Sequence, residues 1–375
     1  MYRSMFWGAN ARSSEVSKPN KLLLVNTFRH YFIGLGLALS DKAHNYHLVF
    51  IHQKFNDERN PIYRMALDMV EPFVSVSCLP VRSSRIIGKI ENRKVAFSEL
   101  KELVISLKPV EIAVGNDVRL EFQYAMNLAR NILKLNVKGA FLDDGTGSYV
   151  FYINMRLAKY VFRRWTDKLI KKLTYGLWYT KPASFGSSHW IDICYLCHPA
   201  LVPTSLSEKR CIEMKVDFYQ TPQAKVVMNR IANALGIESI PDVLEDSILL
   251  ALPHSSMIET IYGSLDQAKA RISAIINEYE HVYVKYHPAE QLDVLGLEGS
   301  ATILPSAIPV EFFFSVMSFD KVVGDVSTAL MSAKWMLPDC DVCFIDVSSP
   351  YTKVVKELFL KMNIKPLPAI EAHAI

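Results

Sequence analysis

The sequence has no apolar run long enough to cross a bilayer. Its best candidate, Tyr31 to Leu39, is about half of the roughly 18 residues needed and is interrupted by Gly34 and Gly36. Residues 1–20 carry Arg3, Arg12 and Lys18 but no apolar run of signal-peptide length. A cytoplasmic protein, free or held at a surface, is therefore the expectation. Charge of one sign is also scarce, with a net charge of +4 over 375 residues. There is no internal repeat, no low-complexity tract and no nucleic-acid recognition motif, so nucleic acid is not an expected partner. Cysteine is sparse, at six residues: Cys78, Cys194, Cys197, Cys211, Cys340 and Cys343. Two Cys-x-x-Cys pairs invite a zinc reading, but both lie in or beside apolar runs that read as strands. Residues i and i+3 on a strand face opposite ways, so neither pair can chelate one ion. Buried reduced thiols are the expectation, and no metal site is predicted.

What is present is a long alternation of short apolar runs with longer helical ones, the pattern of βαβ units and parallel sheets. It starts at Leu22 to Val25 and runs, through helices read over Phe97 to Leu107 and Leu120 to Leu133, to Gly139 to Leu142. Between Tyr149 and Phe218 the rhythm breaks into a basic helical stretch, a polar loop (Lys181 to His189) and one or two strands. After a helix ended by Gly236, Ile237 to Asp246 reads as a linker. A second alternation follows, from Ile248 to the last helix at Tyr351 to Met362. The chain is too long for one core. The fold class is therefore α/β, with two doubly wound domains, 1–240 and 241–375, facing each other across a cleft.

Three strand ends carry candidate chemistry. Phe141-Leu142-Asp143-Asp144-Gly145-Thr146-Gly147 is a buried strand that runs into two carboxylates and a glycine turn. Open α/β sheets bind ligands at that edge. Side chains alternate along a strand, so one acid can serve a site while the other fixes the turn. Val284-Lys285-Tyr286-His287-Pro288 ends a strand at a proline, which cannot continue the ladder and leaves His287 at the same kind of edge. His198-Pro199 repeats the dipeptide in the irregular region. Gly324-Asp325-Val326-Ser327-Thr328 reads as strand, turn and helix start, where free N–H groups and hydroxyls suit a phosphate. Glu311 opens a helix just past Pro309. Singly, each has an ordinary reading: an Asp-Gly turn, a satisfied histidine, an N-cap, a carboxylate offsetting a helix dipole.

Taken in order, Asp-Asp-Gly, His-Pro, Glu and Ser-Thr resemble the motifs of bacterial sialyltransferases, most closely the capsule polysialyltransferase family, over roughly residues 20 to 350. The resemblance implies a GT-B fold, CMP-activated sialic acid as donor substrate, inversion at the anomeric carbon and no required metal or cofactor. It implies Asp144 as base with Asp143 structural, and His287 on the leaving phosphate. Gly145, Pro288, Ser327 and Thr328 would hold the donor, and Glu311 its ribose or cytosine. One departure concerns chain length of the product. The polysialyltransferases carry Asp-Glu-Gly, whereas Asp144 here is one methylene shorter, as in mono-sialyltransferases of lipooligosaccharide. A CMP-Kdo-dependent transferase of the same fold is the nearest alternative.

The basic character is local. Arg156, Lys159, Arg163, Arg164, Lys168, Lys171 and Lys172 face a single Asp167 between residues 151 and 180. Leu157, Tyr160, Val161, Trp165, Leu169 and Leu173 recur there at helical spacing. Such a surface suits the inner membrane, a polyanionic glycan such as polysialic acid, or other capsule-assembly proteins. The plain alternative is a solvated basic face over a core-facing stripe. A non-catalytic scaffold built on this segment alone would be a different class of protein.

Overall fold

Residues 20–25 read Asn-Lys-Leu-Leu-Leu-Val, a nearly continuous apolar run of the kind that forms a strand buried on both faces. The computed structural model describes residues 18–51, 61–68, 71–79, 86–150, 158–237, 246–288, 290, 293–325, 327–346 and 352–368. The run forms β1 (Asn20–Val25). It is followed by α1 (Phe28–Ser40), β2 (Asn45–Phe50), α2 (Pro61–Asp68), β3 (Ser75–Cys78), α3 (Ile86–Leu107) and β4 (Glu111–Val114). Then come α4 (Leu120–Asn127), β5 (Lys138–Leu142), α5 (Thr146–Tyr149), α6 (Ala158–Tyr175), β6 (Ile193–Leu196), α7 (Thr204–Ser207), β7 (Arg210–Glu213) and α8 (Pro222–Ala234). These strands make an all-parallel sheet in the order β3-β2-β1-β4-β5-β6-β7.

The second half comprises β8 (Ser247–Ala251), α9 (Ser255–Tyr262), α10 (Leu265–Ile276), β9 (His281–Lys285), β10 (Thr302–Leu304), α11 (Val310–Val316) and β11 (Lys321–Gly324). It closes with α12 (Thr328–Met336), β12 (Asp341–Phe344), α13 (Thr352–Lys361) and β13 (Lys365–Pro366). Its sheet, again parallel, runs β10-β9-β8-β11-β12-β13. Both orders reverse direction beside the first strand, between β1 and β4 and between β8 and β11. That switch point opens a crevice at the strands' C-terminal ends. The two doubly wound units expected from the alternation are present, while the proposed boundary at 240/241 lies outside the described residues.

Three expectations are corrected. The break in rhythm after Tyr149 is not a break in the sheet, because β6 and β7 extend it in parallel, with Cys194 opposite Phe141 and Cys211. Each is only four residues long, and so short a run marks a strand without showing which strand it pairs. The helix expected to run to Leu133 changes form at Asn127: a π-helical turn (Leu128–Ile132) ends with the Leu133 N–H on the Leu128 carbonyl at 2.9 Å. The helix expected from Phe97 begins earlier, at Ile86.

Alternating residues of β1 enter different cores. Leu22 and Leu24 pack with α3 and α4, whereas Leu23 and Val25 join a cluster that continues through α1 and α8 to Leu249 of β8 and Val322 of β11. One continuous apolar cluster therefore joins both sheets, and it is reinforced where the Trp335 indole N–H donates to the Met214 carbonyl at 2.6 Å. A third cluster backs the outer face of the second sheet. Cys194 and Cys197 fall in different cores, as strand alternation requires.

Candidate active site

The first helix reaches the edge of the sheet through two consecutive side chains. Thr27, extended at the end of β1, caps α1 by accepting from the His30 N–H at 3.3 Å. That cap places Arg29 and His30 in the helix's first turn, beside the end of β5. Arg29 takes Asp143 and His30 takes Asp144. The Arg29 guanidinium lies 2.9 Å from Asp143 Oδ1, and His30 Nε2 lies 2.7 Å from Asp144 Oδ1. Sequence reasoning missed both, although the strand-end rule that singled out His287 applies equally to the residues after β1.

The two acids differ as strand alternation predicts. Asp143 is fully buried and also accepts from the N–H groups of Gly145 (2.7 Å) and Cys197 (2.9 Å) and from the Tyr149 hydroxyl. Burial would raise its pKa, but Arg29 and these donors outweigh it and hold the carboxyl below its ordinary value. Asp144 keeps 22% of its side chain exposed, and its Oδ2 has no hydrogen bond among the described residues. One acid is structural in its contacts; the other has an oxygen to spare.

Arg29 also crosses the cleft. It lies 3.3 Å from Glu311 and donates to Ser332 Oγ at 2.5 Å, and that hydroxyl in turn donates to Glu311 Oε1 at 2.9 Å. Burial alone would lower the Arg29 pKa, but Asp143, Cys197 and Glu311 reverse it, so the guanidinium stays charged.

On the second sheet's edge a cavity of about 430 Å³ is lined by all the donor-site candidates except Gly145: His287, Pro288, Glu311, Ser327 and Thr328. Its walls also include Lys285 and Asp325, and across the cleft Thr146. Gly145 sits beside it with φ +69°, and a Cβ there would meet Thr328 Cγ2 at 2.2 Å, so only glycine permits this approach between domains. Thr146 and Thr328 hydroxyls lie 3.3 Å apart. Ser327 is the N-cap of α12, its Oγ accepting from the Ala329 N–H at 3.0 Å. His287 stands edge to face with His254, ring centres 5.3 Å apart. Burial, with His254 and Lys285, lowers its pKa, so a neutral imidazole faces the cavity at neutral pH. His198 is placed differently: its Nε2 lies 3.2 Å from the Met331 carbonyl and it does not line the cavity.

Two further wall residues were not anticipated. Burial brings Lys285 down to about 7, and its Nζ donates to the carbonyls of Tyr286 (2.7 Å) and Ser306 (2.9 Å). Burial pushes Asp325 up to about 7, and its Oδ1 has no hydrogen-bond partner among the described residues. An unsatisfied buried oxygen at a cavity wall is costly and marks a place where a ligand group fits.

The basic segment is described from Ala158, and its side chains from Thr166; Leu157, Tyr160, Val161 and Trp165 lie outside the described side chains. Leu169 and Leu173 are exposed, as are Ile170 and Leu177, so of the two readings of this stripe the core-facing one does not hold for these residues.

A family model described as alpha-2,8-polysialyltransferase matches residues 16–344. No curated protein sequence matches. The UDP-GlcNAc 2-epimerase of Methanocaldococcus jannaschii superposes with a TM-score of 0.54 at 13% identity, covering 94% of this chain and 89% of the other. A UDP-glucosyltransferase from Polygonum tinctorium gives a TM-score of 0.50 at 11% identity, covering 95% and 86%. At such identities the likeness is one of fold, and the fold is GT-B.

Proposed function

Since the chain belongs to the alpha-2,8-polysialyltransferase family and is a sialyl-type glycosyltransferase, we propose that it transfers sialic acid from CMP-sialic acid, with inversion, to a sialylated or polysialic acid acceptor. The observation that carries this reading is the pairing of a partly exposed Asp144 on one domain with the cavity of about 430 Å³ on the other, whose wall carries the hydroxyls of Ser327 and Thr328. In the reaction the acceptor hydroxyl attacks the anomeric carbon. Its proton passes to Asp144, and the bond to the CMP phosphate breaks, the electron pair leaving with CMP. A positioned base of this kind contributes roughly 10²–10⁴ in rate. His287, neutral, donates a hydrogen bond to the departing phosphate. The N-terminus of α12 with Ser327 and Thr328 holds that phosphate. Glu311, its Oε1 held by Arg29 and Ser332, keeps Oε2 for the ribose or the cytosine amino group. CMP has a single phosphate, so a divalent clamp and any other cofactor are not required in this scheme.

CMP release from CMP-sialic acid, measured with and without a sialic acid oligomer, tests the reading. Acceptor-stimulated release with lengthened product supports it. Release from CMP-Kdo alone would move the donor to Kdo, and inertness towards both would leave a non-catalytic scaffold. The exposed Leu169, Ile170, Leu173 and Leu177, beside Lys168 and Lys172, favour attachment of α6 to an anionic surface, the inner membrane being the simplest. Among the described residues no helix is long and apolar enough to cross a membrane. Sedimentation with anionic and neutral vesicles tests the attachment.

A further inference from the structure

We infer that His30 is the residue that positions the catalytic carboxylate, a role no motif of the chain announces and one that rests on the transfer reading above. His30 is fully buried, yet both ring nitrogens are engaged by side chains: Nδ1 with Asn26 Oδ1 at 3.0 Å and Nε2 with Asp144 Oδ1 at 2.7 Å. An ionised carboxylate only accepts, so a hydrogen on Nε2 makes the Asp144 contact; in the neutral ring Nδ1 is then bare, and the Asn26 amide meets it with its NH2 donating, oxygen and nitrogen exchanged. The ring is also fixed sterically. A Cβ on Gly115, at the end of β4, would stand 2.0 Å from His30 Nε2, so the absence of a side chain there makes the ring's seat.

The backbone fixes the other side of Asp144. Its N–H donates to Ser148 Oγ at 2.8 Å, and with Oδ1 taken by His30 the carboxylate has one orientation, Oδ2 outward. Oδ2 then receives the acceptor's proton as the hydroxyl oxygen bonds to the anomeric carbon and CMP departs with the electron pair. His30 touches neither substrate and gains no proton. Its contribution is to remove the rotational freedom of the base, and misplacement of a catalytic group by about 1 Å costs on the order of 10²-fold.

Two substitutions and one spectrum test this. In His30→Phe the ring volume stays and the donor goes; in His30→Gln a side-chain N–H returns near the position of Nε2. For Phe, kcat for transfer should fall roughly 10²-fold with KM for donor and acceptor within about twofold, and Gln should restore most of it. A structural role would instead lower Tm in both variants and leave kcat of the folded fraction unchanged. Wild-type kcat in His30→Phe overturns the inference. So does a folded His30→Gln as slow as His30→Phe, because the ring's own proton chemistry would then be required. Nitrogen NMR of the wild-type histidines is independent of activity: a hydrogen on His30 Nε2, with a resonance that moves in Asp144→Asn, is expected, and a bare Nε2 overturns the inference. A wild-type protein inert towards CMP-sialic acid would sink the transfer reading, while the spectrum would still decide the His30–Asp144 contact.

Discussion

Arg29 and Glu311, 282 residues apart in the chain, meet across the cleft at 3.3 Å. The same guanidinium holds Asp143 of the first domain, so one buried cation joins a carboxylate from each half. The two domains are thus connected electrostatically at the point where donor and acceptor would meet, and not only through the apolar cluster beneath. An ionic network this buried adds little net stability against an apolar replacement, but losing one member leaves the others uncompensated.

Arg29→Met should therefore destabilise by about 3–5 kcal/mol, since Asp143 and Glu311 would both be left buried without a cation. Urea unfolding with a fixed m-value checks this. A loss under about 1 kcal/mol would mean water reaches the carboxylates.

The paired acids should separate in their effects. Asp144→Asn should cost roughly 10²–10⁴ in turnover with CMP affinity and Tm near wild type. Asp143→Asn should instead lower Tm, because its oxygens accept five hydrogen bonds from four residues, Arg29, Gly145, Tyr149 and Cys197. Calorimetry with CMP and thermal unfolding on both variants would distinguish the two. Retained turnover in Asp144→Asn removes it as the base.

His287→Ala should slow transfer sharply, whereas His198→Ala, whose ring meets the Met331 carbonyl outside the cavity, should act through stability. If His198→Ala is the slow variant, the phosphate lies elsewhere than proposed.

Asp325 predicts a pH dependence with a definite sign. Its folded pKa, about 7, stands above the unfolded value near 3.9. The unfolded chain thus loses this proton first, and stability falls as pH rises from about 4 to 7, then levels off. Asp325→Asn removes that slope. Its stability gain over wild type should grow across this window by an amount on the order of 4 kcal/mol. A gain independent of pH would show that Asp325 ionises normally.

EDTA should leave turnover intact, because the proposed leaving-group chemistry rests on His287 and the α12 N-terminus. Loss of activity restored by Mg²⁺ would contradict it.

The amino-acid sequence by itself determined the local features. Apolar runs of four to six residues made most of the strands, and the acids, His-Pro and Ser-Thr that follow β5, β9 and β11 stand at sheet edges because chain polarity in a parallel sheet puts every strand end on one side. Alternation also separated Asp143 from Asp144 and Cys194 from Cys197. Tertiary structure decided which strand ends become neighbours. Arg29 and His30 lie 114 residues from Asp143 and Asp144, and only the β1-β4-β5 order lets the start of α1 reach across the end of β4 to the end of β5. The runs of β6 and β7 do not name their neighbours, so their place in the sheet rests on pairing, β6 with β5 and β7 with β6. The exposure of Leu169 and Leu173 was likewise open: a stripe at helical spacing defines a face, and only packing says whether that face is covered.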